Sequence, residues 1–110
     1  MTKITITKNN GEITKVVCDG HTDYGVSGED IVCSALSSIV QTAVLGLLMV
    51  ASVNINLVRN EEKGFLSFEM PKDITEQQKH DAKVILDTMI CGVVDLREGF
   101  SDFIELEVKE

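Results

Sequence analysis

The chain has no tryptophan, only one tyrosine and four phenylalanines, and a single proline. With so few aromatic side chains, the core must be built mainly from aliphatic ones. Hydrophobic residues make up 44% of the sequence and charged residues 25%, the composition of a soluble globular protein. A length of 110 residues is enough for one core but not for two, so we expect a single domain over residues 1–110.

Cysteine is scarce as well. The three cysteines are an odd number without a repeated spacing, which is not the pattern of a disulfide framework. The first seven residues alternate between apolar and polar and contain no apolar stretch of the kind found in a signal peptide. We therefore expect a cytoplasmic protein in a reducing environment.

Basic residues are outnumbered, with 10 Lys and Arg against 18 Asp and Glu and a net charge of −8 at pH 7. Because nucleic-acid phosphates are bound mainly through lysine and arginine, we expect no direct contact with nucleic acid. The negative charge suits a basic partner such as a cationic peptide, or it serves solubility alone.

Charge is absent altogether from Ile31 to Asn56, a run long enough to cross a bilayer. Serine, threonine and glutamine interrupt the run, and no lysine or arginine cluster flanks it to fix an orientation. We therefore expect no membrane span but a central helix that protein covers on most sides.

Hydrophobic periodicity predicts an α+β domain with the order ββαββαβ, in which a mostly antiparallel sheet packs with two helices. Asn10-Gly11 is a strong signal for a two-residue hairpin turn. Asp73 is predicted to cap the start of the second helix, with Glu76 reaching back to it, and Gly99 is predicted to be its C-terminal cap. The predicted strands cover residues 2–8, 12–18, 54–59, 65–70 and 103–109, and the first helix runs from about 30 to 50.

The first helix combines an apolar side with a second side that is polar but uncharged. Such a stripe is typical of a cleft or of a contact with another subunit rather than of a surface that faces only water. The polar side consists of Ser34, Ser37, Ser38, Gln41 and Thr42.

A histidine and a cysteine, His21 and Cys33, lie on either side of a glycine-rich segment. If Asp30 is the N-cap of the helix, Cys33 lies in the first turn, where free N–H groups favour a thiolate. If Ser27 is the N-cap, with Asp30 closing a capping box, Cys33 lies nearly two turns inside and the effect weakens. The glycines before Asp30 suit a loop and favour the first alternative.

A nucleophilic cysteine must be ionised, and an ordinary thiol with a pKa near 8.5 is only a few per cent thiolate at neutral pH. The two acidic residues at the start of the helix oppose a further negative charge, so a nearby His21 is needed as base. Backbone N–H groups near Cys33 and Ser34 can stabilise an oxyanion. Ser37, one turn further on, can donate a hydrogen bond into the site or bond back to the helix backbone.

Two other readings of these residues remain open. By spacing alone, a cysteine and a histidine near each other in sequence are more often a buried thiol and an ordinary surface histidine. A zinc centre of three cysteines and one histidine would use Cys18, His21, Cys33 and Cys91, but no second pair of closely spaced ligands supports it. We expect no metal and no cofactor, and we expect Cys18 and Cys91 to pack as small hydrophobic residues and His80 to be solvated.

One block of residues resembles the ribosomal-processing cysteine protease family, Prp (YsxB-like proteins). The matching positions are Gly20, His21, Tyr24, Gly25, Gly28, Asp30, Ile31, Val32, Cys33, Ser34, Ala35, Ser37, Gln41, Thr42, Ala43, Gly46 and Leu47. The resemblance implies a cytoplasmic, homodimeric bacterial protease that removes an N-terminal extension from a basic large-subunit ribosomal protein, the twenty-seventh in the usual naming. It implies cleavage after an aromatic residue.

The same resemblance implies roles for individual residues. Cys33 matches the nucleophile and His21 the general base, and the segment between them is expected to close over the peptide. Gly20 matches the glycine before the histidine, and Asp30 and Ser37 match further active-site positions. Thr22 is β-branched where the family has a small residue.

Two alternatives to a protease stay in view. In the first, the protein is a non-catalytic binding module for ribosome assembly, with Cys33 merely packed. In the second, Cys33 is a redox-sensing thiol, which requires a resolving cysteine. The sequence has no cysteine close to Cys33.

Overall fold

The computed structural model describes residues 2–20 and 29–110, and residues 29 and 30 by their backbone alone. The described elements are β1 (Thr2–Asn9), β2 (Glu12–Gly20), α1 (Glu29–Met49), β3 (Asn56–Asn60), β4 (Phe65–Glu69), α2 (Glu76–Gly99) and β5 (Ile104–Lys109). They confirm the predicted ββαββαβ order and the α+β class. The strands form one mixed sheet in the order β3-β4-β2-β1-β5, in which only the pairing of β1 with β5 is parallel.

The first hairpin turns at Asn10 and Gly11, as predicted. Both residues have positive φ, 55° and 80°, which suits a turn that follows the twist of the two strands. β2 then runs two residues beyond its predicted end, because Gly20 still pairs with Thr2 of β1. The last described residue of β2 is therefore the one directly before His21.

One face of the sheet carries the core. Ile4 of β1, Val16 of β2 and Phe68 of β4 are fully buried on this face, and both helices pack against it. The second helix, α2, packs on this face through an apolar stripe. Its four buried members are Ala82, Leu86, Met89 and Val93.

The predicted cap of α2 is wrong by two residues. Thr75 is the N-cap, its side chain accepts a hydrogen bond from the Gln78 backbone, and the Gln78 side chain accepts one from the Thr75 backbone. This is the reciprocal capping box that was expected two positions earlier. At the other end, the predicted C-cap is wrong by one residue, since Gly99 is still helical and Phe100 is the C-cap.

The start of α1 also differs from the prediction. Glu29 is already helical, so Asp30 lies inside the helix and the prediction that Asp30 is the N-cap is wrong. Cys33 is accordingly at least the fifth helical residue. The residues that precede Glu29, including Ser27, lie outside the described part of the chain.

The long uncharged helix is only partly enclosed by the chain. Ile31–Met49 has a mean hydropathy of 2.0, long and apolar enough to cross a membrane by composition, a property that the core helices of soluble proteins share. Leu36 and Leu47 are fully buried in the core, whereas Leu45 and Met49 are exposed. The expectation that protein covers this helix on most sides is therefore wrong for a single chain, since 33% of that stretch is buried.

Candidate active site

Cys33 lies on α1, and its sulfur contacts Thr2, the first residue of the inner strand β1. The thiol is half-buried, and the Thr2 hydroxyl donates a hydrogen bond to the Cys33 Sγ over 3.3 Å. Sequence reasoning missed Thr2. The available signal was the alternation of β1, which places this polar residue on the same face as Ile4 and Ile6.

Gly20 brings the end of β2 to the same place. Gly20 pairs with Thr2 across the sheet, and its N–H donates to the Gly64 carbonyl over 3.0 Å. A Cβ added to Gly20 would lie 2.6 Å from the Thr2 Oγ1, so a larger residue would displace the threonine that contacts Cys33. Glycine is needed at position 20 because the Thr2 side chain packs directly against its Cα, and not because of an unusual backbone conformation.

His21 and the rest of the glycine-rich segment, residues 21–28, lie outside the described residues. The same holds for the side chain of Asp30. The last described residue before this segment is Gly20. Gly20 is the residue before His21, and it lies against the residue that contacts the Cys33 sulfur.

The uncharged polar side of α1 lines an open cleft, one of the two possibilities that the sequence left open. The lining residues are Cys33, Ser34, Ser37, Ser38, Gln41, Thr42 and Leu45. Ser37 is half-buried, and its hydroxyl accepts a hydrogen bond from Gln41 Nε2 over 2.7 Å. Because an accepting hydroxyl keeps its own hydrogen, Ser37 can still donate one to a ligand in the cleft. The hydroxyl of Thr42 donates a hydrogen bond to the Ser38 carbonyl of the helix backbone. Such a bond was the alternative considered for Ser37, whose hydroxyl instead contacts Gln41.

A second cavity of about 250 Å³ lies between α1 and the hairpin formed by β3 and β4. Cys33, Ser37 and Gln41 border both cavities, so the thiol lies where the two meet. Val40, Phe65 and Leu66 contribute apolar surface to the second cavity. Arg59 and Glu61 also line this cavity, and they form an ion pair with 2.7 Å between Arg59 Nη2 and Glu61 Oε1. A thiol between an apolar cavity and a polar cleft can meet the backbone of an extended peptide.

The expected oxyanion site is not formed by the helix backbone at Cys33. In an α-helix each N–H beyond the first turn bonds to the carbonyl four residues earlier. Since Glu29 is helical, the Cys33 and Ser34 amides are both engaged in this way. The structure instead offers side-chain donors, the Ser37 hydroxyl and the second N–H of the Gln41 amide.

Cys18 also borders the second cavity, although it is far from Cys33 in sequence. Burial raises the pKa of the Cys18 thiol to about 11, and the negative charges of Cys33 and Asp19 add to the effect. Its expected role as a small hydrophobic residue is confirmed by its burial. Cys91 departs from the same expectation because it is exposed on α2.

The described residues offer no cluster of three metal-binding side chains. Cys91, the fourth ligand of the alternative zinc centre, borders neither of the two cavities at Cys33. His80 is solvated on α2, as expected, with a 3.2 Å contact to the neighbouring Asp81.

The raised pKa of Cys18 predicts a selective reaction with iodoacetamide. With a pKa of about 11, only about one Cys18 thiol in ten thousand is ionised at neutral pH. We expect Cys33 to be labelled fastest, the exposed Cys91 next and Cys18 last, as measured by peptide mass spectrometry over time. Labelling of Cys33 no faster than that of Cys91 would show that Cys33 is not activated.

The fold and the site together define an α+β protein with a candidate thiol active site in a peptide-sized cleft. The sequence model of the family described as Cysteine protease Prp matches residues 1–105. The chain belongs to this family and is a cysteine protease. The predicted resemblance is thereby confirmed.

Curated relatives and solved structures agree with this assignment. The chain is 27% identical over 110 residues to the Ribosomal processing cysteine protease Prp of Staphylococcus aureus, covering 99% of this chain and 100% of the relative. Two crystal structures of the Staphylococcus aureus protease superpose with TM-scores of 0.87 and 0.83, at 26% and 27% identity. Each covers 99% of this chain and 100% of the other. One of them holds a substrate peptide and the other a covalently linked product peptide.

Proposed function

We propose that this protease uses Cys33 as nucleophile and His21 as general base to remove the N-terminal extension of a large-subunit ribosomal protein. The observation that carries the proposal is that Thr2 contacts both Gly20 and Cys33. Gly20, the residue before His21, pairs with Thr2, and the Thr2 hydroxyl lies 3.3 Å from the Cys33 sulfur. The chain that bears the imidazole therefore departs from beside the thiol.

The reaction follows the chemistry of a thiol and an imidazole. His21 takes the thiol proton, and the Cys33 sulfur attacks the scissile carbonyl carbon. The tetrahedral intermediate collapses as His21 gives the proton to the leaving amine, and a thioester remains on Cys33. Water activated by His21 then attacks the thioester, which frees the acid and restores the thiol.

Stabilisation of the developing oxyanion falls to side chains in this proposal. The Ser37 hydroxyl lies one helical turn beyond Cys33 and accepts its hydrogen bond from Gln41, so its hydrogen can point into the cleft. Ser34 is exposed in the same cleft and can bind the peptide backbone. We assign to Asp30 a positioning role toward His21, and to Gly20 the close approach of β2 to Thr2.

The proposed substrate is a basic protein. The Staphylococcus aureus relative is named for ribosomal processing, and one of its structures holds a substrate peptide. The net charge of −8 attracts a cationic ribosomal protein over long range. The apolar cavity beside Cys33 suits the aromatic residue after which the family cleaves. The substrate by this reasoning is the twenty-seventh large-subunit protein with its extension, and we propose neither nucleic acid nor membrane as a direct partner.

The exposed apolar end of α1 supports a homodimer. Leu45, Leu48, Met49 and Val50 are exposed on the single chain. A contiguous apolar surface of this kind is typical of a subunit contact. Sedimentation equilibrium is expected to give twice the mass of the chain, and a monomer at all concentrations would contradict the proposal.

Three free cysteines are consistent with the proposed cytoplasmic location.

Intact-mass measurement tests the proposed reaction directly. The unprocessed ribosomal protein, incubated with this enzyme, is expected to lose the mass of its extension and nothing else. The matched control is the same ribosomal protein made without the extension, whose mass should stay constant. An unprocessed protein of unchanged mass after long incubation with folded enzyme would refute the proposal.

A further inference from the structure

Thr2 is the one polar residue that is buried among the described residues, with 2% of its surface exposed. Buried hydroxyls are normally placed there with a partner, because an unsatisfied one costs stability. The side-chain partner of Thr2 is the Cys33 sulfur, at 3.3 Å. A threonine on an otherwise apolar sheet face, with its hydroxyl directed at a half-buried thiol, calls for a functional explanation.

We propose that Thr2 is a positioning residue of this protease, whose buried hydroxyl orients the Cys33 sulfur and favours its anionic form. The inference rests on the proposed role of Cys33 as nucleophile. A neutral thiol is a weak hydrogen-bond acceptor, whereas a thiolate is a charged one, and hydrogen bonds to charged groups are stronger. The Thr2 hydroxyl therefore stabilises the thiolate more than the thiol.

The hydroxyl is held in place by the sheet around it. The Thr2 N–H donates to the Phe103 carbonyl over 2.9 Å, and Thr2 pairs with Gly20 on one side and Ile104 on the other. The close approach of Gly20 to the Thr2 side chain limits its freedom further. A donor fixed in this way before reaction needs no reorganisation when the sulfur becomes charged.

Substitution of the hydroxyl tests the proposal. Thr2→Val keeps the shape of the side chain and removes the donor, and Thr2→Ser keeps the donor. We expect Thr2→Val to slow iodoacetamide labelling of Cys33 at neutral pH by about three- to tenfold, the size of one weak hydrogen bond to an anion. Thr2→Ser should restore the rate to within about twofold. Thr5→Val, the same change on the opposite face of β1, is the matched control and should leave the rate unchanged.

The pH profile separates an effect on ionisation from an effect on packing. Above about pH 10, where ordinary thiols are ionised, the Thr2→Val and unsubstituted proteins should label Cys33 at converging rates. A Thr2→Val rate equal to that of the unsubstituted protein at neutral pH would overturn the proposal. A deficit that persists at high pH, or that Thr2→Ser does not restore, would overturn it as well. If Thr2→Val fails to fold, as judged by circular dichroism, Thr2→Ala carries the same expectations.

Peptide cleavage, measured in parallel, distinguishes this proposal from the proposed function. A labelling effect in an enzyme that cannot process the ribosomal protein would leave the Thr2 proposal standing and refute the proposed substrate. Normal processing with no labelling effect would refute the Thr2 proposal alone.

Discussion

Replacing Cys33 by alanine is expected to abolish processing of the ribosomal protein, with a loss of at least about 10⁴-fold in kcat/KM. The substitution removes the sulfur that attacks the carbonyl, and no other described cysteine can replace it. Cys18 is buried with a raised pKa, and Cys91 lies outside both cavities at the site. Product formation by intact mass, followed over hours at high enzyme concentration, measures the residual rate.

The fold of the Cys33→Ala variant should survive. Cys33 is only half-buried, and its loss leaves one Thr2 hydroxyl without its sulfur partner, a cost of about 1–3 kcal/mol. Thermal unfolding followed by circular dichroism checks this. Cys91→Ala is the matched control, because it removes an exposed cysteine from α2 and should retain full activity. Turnover by folded Cys33→Ala comparable to that of the control would rule out Cys33 as the nucleophile.

Replacing His21 by alanine is the second substitution with a large expected effect. Loss of a general base and acid typically lowers the rate by 10²–10⁴-fold, and we expect a loss of about 10³-fold in kcat/KM. The reason is that the thiol must lose its proton before attack and the leaving amine must gain one. Rates with a peptide that carries the extension, with and without added imidazole, measure the effect. Imidazole should restore part of the activity because it replaces the missing side chain.

The chain provides a matched control for this substitution. His80 is the only other histidine in the sequence, and it is solvated on α2. His80→Ala should leave the rate unchanged. Retention of more than about a tenth of the activity in His21→Ala would mean that another group, or water, acts as the base.

Local patterns in the sequence predict the elements of this fold well. Asn10-Gly11 identifies the first hairpin because only a few residues favour two successive positive φ angles. The apolar stripe of α2 is readable because a helix repeats every 3.6 residues. The uncharged polar side of α1 is readable for the same reason, and it lines the cleft.

Helix ends are less predictable. Asp73 with Glu76 and Thr75 with Gln78 both fit the capping pattern, and the structure selects the second pair. The start of α1 at or before Glu29 changes the chemistry that can be assigned to Cys33. Its backbone N–H is engaged in the helix, so the donors for an oxyanion that the described residues offer are side chains.

Contacts between distant parts of the chain were not readable from the sequence. The bond from Thr2 to Cys33 depends on the register of β1 against β2 and on how α1 crosses the sheet. The hairpin that carries Arg59 and Phe65 reaches the same site through pairing of β4 with β2. Each of these contacts is set by tertiary packing, which local propensity does not encode.

The acyl-enzyme itself is the most direct test of the account. A peptide ester that ends at the cleavage position of the extension should acylate the enzyme, and acid quenching should trap the thioester for mass spectrometry. We expect an adduct equal in mass to the acyl peptide, located on Cys33 by fragmentation and absent from Cys33→Ala. Turnover of the ester with the acyl group on a different side chain would contradict it.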